Sequence, residues 1–224
     1  MKTRERIEVA IPQEPSLPTV EPSPIRYAAA KRTFDVVGAT FFLLLAFPFF
    51  VIVALLVRLT SPGPIFYKSV RIGLGGRPFT FIKFRSMFVD ADQRLAELRK
   101  QNEKDGPIFK IEKDPRVTPV GRVLRKFSLD ELPQFLHVLS GEMSLVGPRP
   151  PLAREVVEYD EGCLVRLSVK PGITCFWQIM GRSRLSFAEW MALDQKYVRE
   201  MSFWTDLKIL VRTPVAVLRG FGAY

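Results

Sequence analysis

The dominant pattern in the chain is Val36 to Val57, VVGATFFLLLAFPFFVIVALLV, an apolar run without a charge and with Pro48 near its middle. At 1.5 Å per residue such a run is about 33 Å long as a helix, enough to cross a hydrocarbon core of roughly 30 Å. Hydropathy therefore predicts a spanning helix. Two features predict instead a re-entrant hairpin bent at Pro48. Proline inside a helix removes a hydrogen bond and kinks the axis. Basic residues also flank both ends, with Lys31 and Arg32 before the run and Arg58, Lys68, Arg71 and Arg77 after it. Excess Lys and Arg on one side sets orientation, so near symmetry puts both ends on the cytoplasmic face. A kinked spanning helix tolerates proline too, and the pattern alone leaves both arrangements open.

Around this run the pattern divides the chain into three parts. Residues 1–24 carry Pro12, Pro15, Pro18, Pro22 and Pro24 among polar residues, which predicts a flexible, partly polyproline tail. Residues 25–60 form a helical lead-in at the interface followed by the membrane segment, which Ser61-Pro62-Gly63-Pro64 terminates. Residues 61–224 form one cytosolic domain. Within it, Ile65 to Val70 and Phe79 to Met87 flank RIGLGGRP and read as a β-hairpin. A period of two puts Phe79, Phe81, Lys83 and Arg85 on one face, with Thr80, Ile82, Phe84 and Ser86 on the other. Taken alone, Lys83 and Arg85 are solvated edge-strand cations. Asp90 to Lys100 predicts a surface helix with Leu95 and Leu98 inward, and Asn102 to Pro115 a loop. Thr118-Pro119 opens a helix on which Arg122, Arg125 and Lys126 share a face.

A net charge of +10 and a pI near 9.9 imply an anionic partner. Together with the apolar run, they point to anionic lipid and not to nucleic acid, for which no signature is present. Cys163 and Cys175 are too few for a disulfide framework or a four-ligand zinc site, which suits a reducing compartment. The first 35 residues lack the features of a signal peptide, so the run at Val36 is expected to stay in the mature protein.

The stretch that carries chemistry is Ser128-Leu129-Asp130-Glu131-Leu132-Pro133-Gln134, with two adjacent carboxylates before a helix expected to run to Gly141. One reading is a capping box, Ser128 paired with Glu131. The other is a phosphate site at a helix start, supplied with countercharge by Arg125 and Lys126 upstream and by Arg149 in the stiff loop Gly147-Pro148-Arg149-Pro150. An acid pair with Mg²⁺, or one acid as nucleophile, would suit phosphoryl transfer. His137, the only histidine, reads as a packing residue between Leu136 and Val138, and Tyr159, Asp160 and Glu161 as a solvated face.

From Lys31 to Tyr224 the chain resembles the bacterial sugar transferases, monotopic phosphoglycosyl transferases that begin surface-glycan assembly. The resemblance rests on an ordered set: the apolar segment, TSPGPIFYKSVRIGLGGRPFTFIKFRSM, RVTPVGRVLRKFSLDELPQFLHVLSGEMSLVGPRP, VKPGITCFWQIMGRS and WTDLKILVRTP. It implies an α+β, mainly helical fold with a re-entrant membrane helix and interfacial amphipathic helices, at the cytoplasmic face of a bacterial inner membrane. The implied reaction moves sugar-1-phosphate from a UDP-sugar to polyprenol (undecaprenyl) phosphate and releases UMP, as the first step of exopolysaccharide or other surface-glycan assembly. Carried onto this chain, Asp130 is the nucleophile that forms a covalent phospho-sugar intermediate, with Glu131 its partner in metal and proton handling. Both would hold Mg²⁺. Lys83, Arg85, Arg125 and Arg149 match the family's basic, phosphate-binding positions, and Gln178 and Arg182 a segment near the donor.

The family's membrane segment often bends at a Ser-Pro pair. Here Phe47 precedes Pro48, and the resemblance implies the hairpin with Pro48 at the bend. Lys208, Arg212 and Arg219, set among Leu207, Ile209, Leu210, Val211 and Leu218, would lie in the same interface with Trp190, Phe203 and Trp204 as anchors. A homodimer is left open. Two rivals stand beside the transferase: a tethered module that binds anionic lipid without chemistry, and a membrane phosphatase or nucleotidyl transferase using the same acids.

Overall fold

The computed structural model describes residues 25–220, so the tail expected over 1–24 lies outside the described residues. The first element is one helix, α1, Ile25–Thr60, about 54 Å long at 1.5 Å per residue. Its backbone stays helical across Pro48, where the sequence predicts two helices parted by a bend. Proline deletes one N–H bond and kinks the axis, but an apolar surrounding gives the freed carbonyl no better partner than its own helix.

α1 is two-sided along its length. Asp35, Ala39, Val53 and Val57 are buried, at helical spacing along one face. The opposite face exposes Leu44, Phe47, Ile52, Leu55 and Leu59, the last at 80%. Both ends of the helix are fastened to the same body. Near the start, Asp206 accepts hydrogen bonds from Tyr27 Oη (3.0 Å), Lys31 Nζ (2.5 Å) and Tyr197 Oη (2.8 Å). Arg32 donates to the carbonyls of Val138 and Leu139, and the Asp35 carboxylate accepts from Ser144 Oγ and Leu145 N. Toward the end, the Phe50 ring lies 4.8 Å from Phe84, and Val53 and Val57 pack with Phe84 and Leu124.

The predicted hairpin forms: β1 (Phe66–Ile72) pairs antiparallel with β2 (Pro78–Phe84), in a register that sets Tyr67 opposite Lys83 and Ile72 opposite Pro78. Helix α2 (Pro119–Lys126) starts as expected, with Thr118 Oγ1 accepting from Gly121 N at 2.9 Å. Of the helix expected over 90–100, only Leu95–Leu98 is α-helical. Helix α3 (Gln134–Ser140) stops at Gly141, whose φ of 88° is open to glycine at little steric cost.

Two short parallel strands follow, β3 (Ser144–Val146) and β4 (Gly172–Thr174). They approach so closely that a Cβ on Gly172 would lie 2.0 Å from Gly147 N. Helices α4 (Phe176–Met180), α5 (Phe187–Glu200) and α6 (Phe203–Arg219) complete the body. The main core joins α1, the hairpin, α3, β3 and the last helices through Ala39, Phe81, Val138, Leu145, Tyr197 and Ile209.

Helix α6 exposes Val211, Val215, Leu218 and Trp204, together with Lys208 and Arg212. Trp190 does not join them. It is 4% exposed and stacks on Trp177 at 4.4 Å, because α5 turns that face toward α4. Asp160 and Glu161 are exposed as expected, Asp160 also capping the turn Glu161–Leu164, whereas Tyr159 is half-buried and its Oη accepts from Arg166.

Removing Asp206 leaves the Lys31 ammonium buried without its partner, a loss of about 3–5 kcal/mol for a broken buried pair. Asp206→Ala is expected to lower the melting temperature in detergent by roughly 10 °C. An unchanged melting curve would show that the tether is not needed.

Candidate active site

The site begins with an unusual backbone step. Ser128 adopts φ 54°, ψ 24°, a left-handed conformation unfavourable for a residue with a Cβ. It reverses the chain after α2, and the single 3₁₀ turn Leu129–Glu131 then carries Asp130 inward to 5% exposure. The capping box does not form. Ser128 makes no capping bond, and α3 starts only at Gln134, with Pro133 at its N-cap.

Asp130 and Glu131 open on a cavity of about 190 Å³ whose walls carry Lys83, Lys110, Arg125, Arg149 and Arg182, together with Arg116 paired to Asp114 at 2.7 Å. Lys83 comes from the end of β2, on the same face as Phe81. Arg125 comes from α2 and is steadied by its Nε donating to Ser86 Oγ at 3.0 Å. Arg182 also has a left-handed backbone, φ 51°, and its carbonyl accepts from Trp190 Nε1 at 2.9 Å. Gln178, on α4, lines the cavity and accepts a weak bond from the Cys175 thiol.

Arg149 leaves the end of β3, where Gly147 N donates to Thr174 O and Gly172 N to Pro148 O. Its carbonyl accepts from Arg166 Nη2 at 2.8 Å, and Arg166 pairs with buried Asp194 at 2.9 Å. Arg71 holds the next carbonyl, Pro150 O, at 3.0 Å. The phosphate-type arginine is therefore set by its backbone, and its side chain is left for the cavity.

So many cations in one enclosed space raise one another's cost of ionisation. Burial, with help from Arg125, pulls Lys83 down to about 8, and burial with Arg149 and Arg125 pulls Lys110 down to about 7. Burial also lowers Arg125 and Arg182. Glu131 moves the other way: burial and the neighbouring Asp130 charge raise its carboxyl, against the pull of Arg149 and Lys83. Among the described residues neither acid is ion-paired to a side chain, and no three His, Cys, Asp or Glu side chains come together closely enough to hold a metal ion by themselves. Two adjacent carboxylates beside a phosphate-sized cationic wall fit Mg²⁺, which takes one or two protein carboxylates and completes its shell with phosphate and water.

The structure thus gathers Asp130, Glu131, Lys83, Arg125, Arg149, Gln178 and Arg182 around one cavity. It does not bring Arg85 there. β2 ends at Phe84, and the Arg85 guanidinium turns to the carbonyls of Ser61 (2.6 Å) and Pro62 (2.5 Å) just after α1. Pro48 stays within α1, outside the cavity lining. His137 is the packing residue expected: Ile82 N donates to its Nε2, so the proton sits on Nδ1 and faces Glu142 at 2.7 Å. Sequence reasoning missed Lys110, Arg166 and Asp194. The only signal for Lys110 was a cation enclosed by apolar neighbours in Ile108-Phe109-Lys110-Ile111.

The family profile described as Bacterial sugar transferase matches residues 26–220. Among similar proteins, the exopolysaccharide production protein ExoY of Rhizobium meliloti is 44% identical over 199 residues, covering 87% of this chain and 88% of that protein. The galactosyl transferase CpsE of Streptococcus agalactiae is 46% identical over 195 residues, covering 87% of this chain and 43% of that protein. The undecaprenyl-phosphate galactose phosphotransferase of Salmonella typhimurium is 42% identical over 202 residues, again 87% of this chain but 41% of that protein. The chain therefore spans less than half the length of the latter two and most of the first. With a family match over nearly all the described residues and a relative matched along most of both lengths, this chain belongs to the bacterial sugar transferase family.

Proposed function

We propose that the chain transfers sugar-1-phosphate from a UDP-sugar to polyprenyl (undecaprenyl) phosphate, releasing UMP, at the cytoplasmic face of a bacterial inner membrane, to begin exopolysaccharide or other surface-glycan assembly. The observation that carries this reading is the pair Asp130–Glu131 inside a cavity walled by six cations, in a body that lies along a lipid-facing helix. A lipid-binding module without chemistry leaves the buried acid pair without a purpose. The names of similar proteins, a galactose phosphotransferase using undecaprenyl phosphate and an exopolysaccharide production protein, agree with the transferase.

In the first step an Asp130 carboxylate oxygen attacks the sugar-linked phosphorus, the bridging P–O bond breaks, and UMP leaves with that oxygen. In the second, a phosphate oxygen of the polyprenyl phosphate attacks the same phosphorus. The acyl-phosphate bond breaks, Asp130 returns as carboxylate, and the product is a polyprenyl-diphospho-sugar. Lys83, Arg125 and Arg149 neutralise the phosphates, which is most of what phosphoryl transfer asks of a protein. Glu131, with its carboxyl raised, holds a proton more readily than an exposed acid and can pass it to a leaving or entering oxygen. Asp130 and Glu131 would hold Mg²⁺, which when bound would supply further charge neutralisation. The larger groove beside the cavity, about 880 Å³ and sharing Ile111, Asp114 and Arg125 with it, leaves room for the rest of the donor.

We read the membrane arrangement as re-entrant: Tyr27, Lys31 and Arg32 at one end of the unbroken α1, and Val53 and Val57 toward the other, pack on one body, which supports both ends lying on the same side of the lipid. Residues 61–224 then form the cytosolic domain.

Incubation of the solubilised protein with UDP-sugars and polyprenyl phosphate should release UMP, and Asp130→Asn should cut that release by about a thousandfold or more while UDP binding persists. Release of UMP by no donor ends the transferase reading, and an active Asp130→Asn removes that residue as nucleophile. Binding a diphosphate raises the depressed Lys83 and Lys110, so UDP binding at pH 8 should take up protons and weaken as pH rises to 9. Isothermal titration in two buffers of different ionisation enthalpy reads this, and Lys83→Arg should flatten the dependence. For topology, tags at residues 2 and 224 should both resist protease added to spheroplasts, and opposite accessibility would restore a spanning helix.

A further inference from the structure

Beside the cationic cavity lies a second, apolar one of about 170 Å³, walled by Phe127, Leu132, Phe135, Ile173 and Ile179. Its far side is α6, through Thr213, Ala216 and Val217. The two cavities are not separate rooms: Ser128, Glu131, Gln178 and Arg182 line both. We propose that this slot is the subsite for the first isoprenyl unit of the polyprenyl phosphate acceptor, with Arg182 and Gln178 marking where the phosphate ends and the hydrocarbon begins. The inference rests on the transferase reading and assigns the acceptor side of that site.

Size, polarity and placement each argue for this occupant. A closed apolar cavity of about 150 Å³ holds a benzene molecule, six carbons, so one of 170 Å³ has room for a five-carbon isoprenyl unit and little more. Its walls are nearly all carbon, whereas the adjoining space is cationic, and a prenyl phosphate has the same abrupt change from anion to hydrocarbon between its phosphate and its first isoprene. Burial and a nearby Glu131 act on Arg182 at that boundary, as befits a cation that meets an anion there.

The slot also faces the right way. Ala216 and Val217 line it, while Val215 and Leu218 on the same helix are exposed, and the Phe42 ring of α1 stacks on wall residue Phe135 at 5.6 Å. A chain leaving the slot along α6 therefore passes directly onto the lipid-facing surface. The back of the slot is held by Thr213 Oγ1, which shares a 2.8 Å hydrogen bond with Thr174 and donates to Ile209 O. That tie fixes the spacing between α6 and β4 at the back of the slot.

The test uses the native full-length chain and a polyprenyl phosphate carrying a photoreactive diazirine on its first isoprene unit. Irradiation should label residues of 173–179 or 213–217, read by peptide mapping, and excess polyprenyl phosphate should suppress the label where excess phosphatidylglycerol does not. Label confined to α1, or equal suppression by the phospholipid, overturns the proposal. In parallel, Ala216→Phe fills the slot and should raise the KM for polyprenyl phosphate about tenfold while moving that for the UDP-sugar less than about twofold. An unchanged acceptor KM in a folded variant also overturns it. Labelling needs no donor, so a chain that takes the label but releases no UMP from any UDP-sugar would fail as a transferase and not as a prenyl-phosphate binder.

Discussion

A helix that must satisfy two solvents at once governs this structure. One face of α1 is apolar and uncovered, suited to hydrocarbon, while the other meets protein, and each face has its own chemistry: Leu44, Phe47 and Leu59 outward, Asp35, Ala39, Val53 and Val57 inward. The inward charges would be costly in lipid, and they are answered one by one, Lys31 by Asp206, Arg32 by helix-end carbonyls, Asp35 by Ser144 and a backbone amide. The depth of everything else follows from this seam, since the hairpin, α3 and β3 are all built against it.

Within the body, the arrangement of charge is economical. Six cations stand around Asp130, Glu131 and Asp114, and burial first, then the neighbouring arginines, lowers the two lysines. Such a cavity gains most when an anion arrives, because a diphosphate relieves repulsion that the free protein carries. Arg149 illustrates how the protein keeps the geometry while the charges repel: its backbone is clamped by Arg166, by Arg71 on the next carbonyl and by the close contact of Gly147 with Gly172.

What could be read in advance divides along the range of the forces involved. The β-hairpin, the Thr118 cap and the Gly141 stop depend on a few neighbouring residues, and each appeared where period and punctuation put it. The acid pair and its arginines were legible through their order along the chain. Arg85 was not, because the alternation that placed it holds only while the strand lasts, and the strand ends at Phe84. The Ser128 capping box failed because Ser128 takes a left-handed backbone and a 3₁₀ turn, not the helix, follows it, and Trp190 became core because Trp177 offered it a ring to stack on. Lys110 and the Arg166–Asp194 pair come from loops and helices joined only by the folded chain, so local pattern had no hold on them.

The inner stripe of α1 has a consequence for how the molecule comes into being. Ala39 sits in the same core as Tyr197 and Ile209, and Val53 and Val57 in the same core as Phe84 and Leu124. Anchor and catalytic body therefore share their interior, and excising the first sixty residues would not free a soluble enzyme but uncover a dry trough along its length. Helix and body therefore close on one another as one folding unit, with the outer face of α1 from Leu44 to Leu59 left uncovered by protein.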